Sequence, residues 1–280
     1  MATGTTEFID LTTVDVFLME VWSQAVSRAR SRKLVFGDHV DRSPEAELKP
    51  GQIYRKQRVS HLAARSKTAN SAISYETVTE SEDTLTINNY YYAAFAIEDV
   101  ITPMVKVSQL SAYMPELGYA LAKQEDDDLA ALIDDGTITQ SVGTLATGLT
   151  YDNYVRADQY LQDAEAPESD RCIIISHAEK ANAMKMEQFI NKDYDLGNPL
   201  KGNLLGYPVY ITGNTNGTNA AGHDNVMLHK DVIFFAQQIS PNVKTMYDLD
   251  YLCGKVAALE TYGLAINSAY VDHAVWLKGL

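Results

Sequence analysis

Residues Thr84–Asp99 read TLTINNYYYAAFAIED, and within them Leu85, Ile87, Tyr91, Ala93, Phe95 and Ile97 fall at every second position, with Asn89 the single exception. A period of two puts these side chains on one face, so the stretch predicts a strand entering a core. Downstream the period changes. Leu110, Tyr113, Met114, Leu117, Leu121, Leu132 and Ile133 recur at helical spacing among good helix formers, predicting a long helix over 108–135. Pro115 removes a backbone donor and crowds the preceding turn, so the helix bends or begins there, and Gly136 supplies a stop.

Upstream, Gln52–Arg65 and Ala72–Thr79 are strand-like and flank the polar tip Ser66–Ser71, the pattern of a long hairpin. It has little apolar content. Two strands alone are marginal in water, so this ribbon requires a partner surface. Before it, Val14, Phe17, Leu18, Val21, Trp22, Ala25 and Val26 predict a short amphipathic helix that Thr12 or Thr13 caps. Leu34–Phe36 and the polar residues up to Pro50–Gly51 read as an extended connector.

On the other side of the helix, the Gly- and Thr-rich Ser141–Thr150 reads as a hinge between units. Tyr151–Ala164 is helical, Cys172–Ile175 a short buried strand, and Ala178–Asn191 helical again. Leu205–Thr212 alternates as a strand, and Gly213–Asn225 reads as a flexible polar loop. Further strands are expected at Val226–Leu228, Val243–Tyr247, Lys255–Tyr262, Ala265–Tyr270 and Val275–Leu277.

At 280 residues, 46% hydrophobic and 21% charged, the chain is long enough for a real core and too apolar for extensive disorder. Cys172 and Cys253 lie far apart with no CxxC spacing, which excludes a disulfide framework and fits a reducing compartment. The start of the chain lacks the pattern of a secretion signal, and no apolar run is long enough to span a membrane. The net charge of −14 argues against a surface that grips nucleic acid throughout. Its distribution is uneven: Arg28 to Lys67 holds 11 bases against 4 acids, a local +7, leaving −21 on the remainder. A basic segment on an acidic body suggests an arm lying on a neighbouring copy. A polyanion patch is the other reading, disfavoured because Phe36 and Tyr54 are the only aromatics in the segment.

No residue pattern announces catalysis or a cofactor. In Glu125–Asp128 successive helical side chains point about 100° apart, so only Glu125 and Asp128 share a face and the run cannot close around one ion. It reads as a solvated or interface-facing acidic face. His177 with Glu179, and His223 with His229, lack HExxH spacing and a third ligand nearby, so no metal is expected. Ser176-His177 has no GxSxG elbow.

The order of these parts resembles the major capsid proteins of tailed phages with the Hong Kong 97-type fold. Val21-Trp22, Leu34-Val35-Phe36, Val40-Asp41-Arg42 and Gly51-Gln52 resemble that family's N-terminal arm and its approach to the extended loop. Phe95-Ala96-Ile97-Glu98-Asp99 resembles the strand ending before the spine helix, and Ala120-Leu121-Ala122 with Asp126–Asp128 resembles that helix. Arg171–Ile175 and Gly202–Tyr210 look like the axial domain, and Tyr262-Gly263 like the closing strand of the peripheral domain.

The resemblance implies an α+β fold with an arm (1–50), an extended β-hairpin loop (51–83), a peripheral domain (84–148 and 240–265) with spine helix 108–135, and an axial domain (149–239 and 266–280). It implies a non-catalytic, cofactor-free subunit of a virion shell, assembled in the bacterial host cytoplasm from hexamers and pentamers of itself around DNA bound without sequence specificity. A separate scaffolding protein, a portal and decoration proteins are the expected partners. Contacts between subunits are expected from Trp22, Arg28, Arg30, Arg32, Lys33, Phe36, Arg55, Arg58, Arg65 and Lys67, with Glu125 and Asp128 on the acidic face. Some relatives crosslink the loop through a lysine; Lys67 sits at the tip, but no motif marks its partner asparagine, so no crosslink is expected. The alternatives are an encapsulin-type compartment of the same fold, told apart by cargo protein in place of DNA, and a soluble hydrolase using His177, Glu179 or His229.

Overall fold

The computed structural model describes residues 8–9, 34–48, 51–59, 62–78, 80–100, 107–133, 137–186 and 203–280. In chain order its strands are β1 (Phe8–Ile9), β2 (Ile53–Val59), β3 (Glu80–Thr86), β4 (Asn89–Glu98), β5 (Gln140–Gly143), β6 (Arg171–Ile175), β7 (Asn203–Leu204), β8 (Tyr207–Ile211), β9 (Gly217–Thr218), β10 (Gly222–His229), β11 (Ile233–Asp248), β12 (Cys253–Ile266) and β13 (Ala274–Gly279). Helix α1 (Val107–Ala131) follows β4, and α2 (Tyr151–Asp163) and α3 (His177–Ala183) flank β6. The expected helix at Val14–Val26, and with it Trp22, Arg28, Arg30, Arg32 and Lys33, lies outside the described residues.

Among the described residues the strands form a four-stranded sheet in the order β1-β4-β12-β11, a seven-stranded sheet in the order β5-β13-β10-β6-β8-β7 with β9 beside β10, and the two-stranded ribbon β2-β3. The alternation of residues 84–99 explains the first sheet. Tyr91, Ala93 and Phe95 pair with Glu260, Ala258 and Val256 of β12, and that face packs under Leu117 and Leu121 of α1. Asn89 breaks the pattern because the chain leaves the ribbon and starts a new strand there, with Leu85 and Ile87 sealed in a separate pocket beside Leu48, Phe234 and Ala236. Helix α1 begins upstream of Pro115, which sits inside it.

The seven-stranded sheet carries α2 and α3 on one face. Tyr154, Ala157 and Leu161 of α2 bury against Ile173, Ile175, Met227, Val275 and Leu277. Its other face meets the four-stranded sheet and α1 in the largest core, where Phe36, Leu129, Ile174, Leu228, Phe235, Tyr262 and Trp276 come together.

Several expectations are corrected. The connector after Leu34 is packed: two short 3-10 turns, Phe36–Asp38 and Ser43–Ala46, bury Phe36 and Pro44, and Asp41 donates its backbone N–H to Ile233 and accepts one from Phe235. The segment expected as a hinge, Ser141–Thr150, begins in strand β5, paired in parallel with β13, and only 144–150 are turn and loop. Gly143, at φ +87°, is needed there because a Cβ would lie 2.4 Å from the Lys278 carbonyl oxygen. The loop at Gly213–Asn225 holds β9 and the start of β10, with Asn214 and Thr215 buried. The strands expected at Lys255–Tyr262 and Ala265–Tyr270 are one strand, β12, ending at Ile266. It pairs with the 16-residue β11, whose register shifts between Gln237 and Asn242 accommodate Pro241 at an edge.

Candidate functional site

The ribbon has a fixed base and an exposed outer half. Register runs from Ile53 opposite Thr86 to Val59 opposite Glu80, seven residues on each strand. At the base, Tyr54 meets the edge of Phe234, Lys56 lies 5.1 Å above the same ring, and Ile87 donates its N–H to the Gln52 carbonyl. Gly263 lets β12 pass under it, since a Cβ would stand 2.5 Å from the Thr86 carbonyl oxygen. The expected pairing of 52–65 with 72–79 is thus drawn back to 53–59 with 80–86, because only these positions find a core beside them.

Beyond the base, residues 62–78 are exposed throughout and turn at Thr68–Ser71, inside the expected tip. Arg55 pairs with Glu82 at 3.2 Å, Arg58 donates to the Ser81 hydroxyl at 3.0 Å, and Arg65 lies 3.7 Å from Glu76. Lys67 sits exposed at the turn. Exposed ion pairs contribute only about 0–1 kcal/mol each. Meanwhile Leu62, Ile73, Val78 and above all Tyr75, 87% exposed, present apolar surface to water.

A second open apolar surface lies on the four-stranded sheet. Tyr92 stands opposite Leu259 on the face away from α1, and both are exposed, as are Met246 on the edge strand and Leu249, Tyr251 and Leu252 in the turn after it. The residues that carry the surfaces are thus aromatic and aliphatic as well as basic. Sequence reasoning named the bases and missed Tyr75 and Tyr92, whose only signal was a large apolar residue in an otherwise polar or wrong-facing position.

The acidic run of α1 turns inward, against the expectation of a solvated or interface-facing stretch. Asp126 accepts the backbone N–H of Val35 at 3.1 Å and of Phe36 at 2.7 Å, and the Asn214 side-chain amide at 2.9 Å. Burial pushes its pKa up, opposed by those donors. Glu125 pairs with Arg42 at 3.1 Å, and Asp128 accepts the Tyr262 hydroxyl at 2.7 Å. Asp127 reaches outward to Lys123. Phe36, expected at a contact between copies, is 1% exposed within its own core and unavailable to a neighbour.

Glu260 faces this group from β12. It is fully buried, and neither carboxylate oxygen has a hydrogen-bond partner among the described residues. Burial, then the charges of Glu125 and Asp128, push its pKa up to about 7.

The candidate catalytic residues are engaged structurally. Glu179 accepts the backbone N–H of Leu149 and Leu280 and the Tyr154 hydroxyl. Ser176 caps α3 by accepting the Glu179 N–H and donates to the Leu280 carbonyl, so His177 does not activate it. His223 bonds Thr215 and Asn219, while His229 turns to Asp231, so the two histidines do not converge. Both cysteines are free and buried. No helix among the described residues is long and apolar enough to cross a membrane.

Comparison with known proteins bears on these surfaces. A family model described as phage capsid protein matches residues 74–266. No curated protein matches the chain by sequence. Among solved structures, one from Mycobacterium phage Che8 superimposes with a TM-score of 0.80 at 19% identity, covering 94% of this chain and 97% of that one. The capsid structure of the cyanophage P-SCSP1u gives 0.74 at 16% identity over 98% and 94%. The capsid of Myoviridae phage XM1 gives 0.68 at 12% over 93% and 97%.

Proposed function

Because this chain belongs to the phage capsid protein family, and is therefore a major capsid protein that self-assembles into a virion shell, we propose that its ribbon and basic arm reach beyond their own body to hold neighbouring copies. The observation that carries this reading is the ribbon's outer half, where Leu62, Ile73, Tyr75 and Val78 are exposed on a segment whose described contacts, Arg65 with Glu76 and Ser74 and the Ala63 N–H with Glu76, are exposed as well. Covering apolar surface contributes about 25 cal/mol per Å², and seating several such side chains on another subunit outweighs what one ion pair supplies. Arg55, Arg58, Arg65 and Lys67, with Trp22, Arg28, Arg30, Arg32 and Lys33 of the arm, then meet acidic surface on the next copy. The net charge of −14 supports that complementarity.

In this reading the units divide where the chain passes between the two sheets. The peripheral unit is α1 with the four-stranded sheet, and the axial unit is the seven-stranded sheet with α2 and α3, so β5 and residues 233–239 change sides relative to the boundaries at 148 and 239. The subunit is structural and catalyses nothing, which the hydrogen bonding of Ser176 and Glu179 supports. A separate scaffolding protein guides closure, a portal and decoration proteins complete the particle, and the DNA of a tailed phage is enclosed without sequence readout.

Replacing residues 62–78 with a short Gly-Ser turn tests the reading. The shortened subunit is expected to keep its far-ultraviolet circular dichroism and Tm, and to give no closed particles in negative-stain images when co-expressed with the scaffold. Closed particles at wild-type yield overturn the proposal.

A further inference from the structure

We propose that His229, Asp231 and His273 form a binding site for one first-row transition cation of the zinc class, which fastens together the two chain crossings between the sheets. Strand β10 ends at His229 and β11 begins at Ile233, so His229 and Asp231 stand on the outgoing crossing. Strand β12 ends at Ile266 and β13 begins at Ala274, so His273 stands at the end of the return crossing. The separation of 42 positions from Asp231 to His273 hides the group from any reading of local spacing.

The geometry is that of a partial coordination shell. One ligand atom from each residue lies within 4.8 Å of the other two. Both imidazoles aim Nδ1 at the same carboxylate: His229 hydrogen-bonds Asp231 Oδ1, and His273 Nδ1 lies 3.3 Å from Oδ2 and 3.4 Å from Oδ1. Zinc-class ions take nitrogen and carboxylate oxygen at about 2.0–2.2 Å, so ligand atoms in a tetrahedral shell stand roughly 3.3 Å apart; His273 Nδ1 and Asp231 Oδ2 already have that spacing, and small side-chain rotations adjust the other pairs, all within 4.8 Å, to it. Two imidazoles and one carboxylate suit zinc, cobalt or nickel rather than magnesium or calcium, which prefer oxygen ligands.

The ligands are also oriented from outside. Tyr270 stacks on the His273 ring at a centroid distance of 4.9 Å, and the two imidazoles meet edge to face at 6.0 Å. Asn267 donates its backbone N–H to the Val232 carbonyl and its side-chain amide to the Asp231 carbonyl, already joining one crossing to the other. The side chains of His229 and His273 are 10% and 11% exposed, that of Asp231 27%, so solvent enters on the carboxylate side and a water fills the fourth position.

The test uses the full chain, freed of metal by chelation, with Zn2+ alone as the probe and titration calorimetry and thermal melting as readouts. Wild type is expected to bind one Zn2+ per chain and to gain about 4 °C in Tm at saturation. His229→Gln and His273→Gln, checked for wild-type circular dichroism in chelator, should each bind at least ~100-fold more weakly. No binding by wild type, or equal binding by wild type and both variants, overturns the proposal. If a variant does not fold, Co2+ bound to wild type decides: d–d bands without a thiolate charge-transfer band support the site. A thiolate band, which would put the ion on Cys172 or Cys253, or the absence of d–d bands, refutes it.

Discussion

Ribbon β2-β3 and strand β6 use the same backbone hydrogen bonds and opposite surroundings. Every residue of β6, Arg171 to Ile175, is buried between β10 and β8, whereas among the described side chains of the ribbon strands only Asp83 and Leu85 are buried. Strand pairing is therefore common to both, and what differs is the apolar area that each takes out of water on folding. Strand β6 is held throughout by its own chain, whereas the ribbon is held by its own chain at the base and carries, beyond it, apolar side chains that its own chain leaves open.

Truncation at the two regions should separate stability from assembly most sharply. Phe235→Ala, at the meeting of the two sheets, is expected to destabilise the unassembled subunit by about 3–5 kcal/mol, read by denaturant melts. Tyr75→Ala, 87% exposed, should change that stability by less than about 0.5 kcal/mol while lowering particle yield. Equal loss of subunit stability in both variants would erase the contrast.

The boundary between body and edge is sensitive to pH through Glu260. Its folded pKa of about 7 lies above the 4.5 of an ordinary glutamate, so the folded state retains a proton that the unfolded chain has released. Its contribution is most favourable below pH 4.5 and is lost as pH rises to about 7, on the order of 3 kcal/mol in all. Glu260→Gln should flatten the Tm profile over that window relative to wild type, and parallel profiles would show that the buried carboxyl finds a partner in solution.

The smallest effect belongs to the ribbon's ion pairs. A double-mutant cycle of Arg55→Ala and Glu82→Ala is expected to give a coupling within about 0.5 kcal/mol in the unassembled subunit, falling with salt. A coupling above about 1.5 kcal/mol would mean that the ribbon is stable by itself.

Much of the architecture could be read from local pattern. The apolar run Cys172–Ile175, the long helix and the turn near Ser66–Ser71 are present, and the alternation through Thr84–Ile97 is present but divided between β3 and β4 of different sheets. Ribbon register could not be read, because a strand wet on both faces loses little when its pairing slips, and it is fixed by remote groups beneath the base, among them Leu48, Phe234 and Gly263. Helical geometry gave the acidic run its angular spread but not its direction. A carboxylate turns inward only when donors meet it, and those of Asp126 come from residues 35, 36 and 214.

What the sequence determined by itself is the long helix, the main strands of the core and the charge separation between a basic segment and an acidic body, since periodicity and composition are properties of neighbours along the chain. Tertiary structure alone decided that Phe36 is core, that β5 joins the seven-stranded sheet, that Glu260 is buried without a hydrogen-bond partner among the described residues, and that His273 returns to His229 and Asp231. These outcomes depend on groups brought together from remote positions, and burial and hydrogen bonding act through space with no trace in local order.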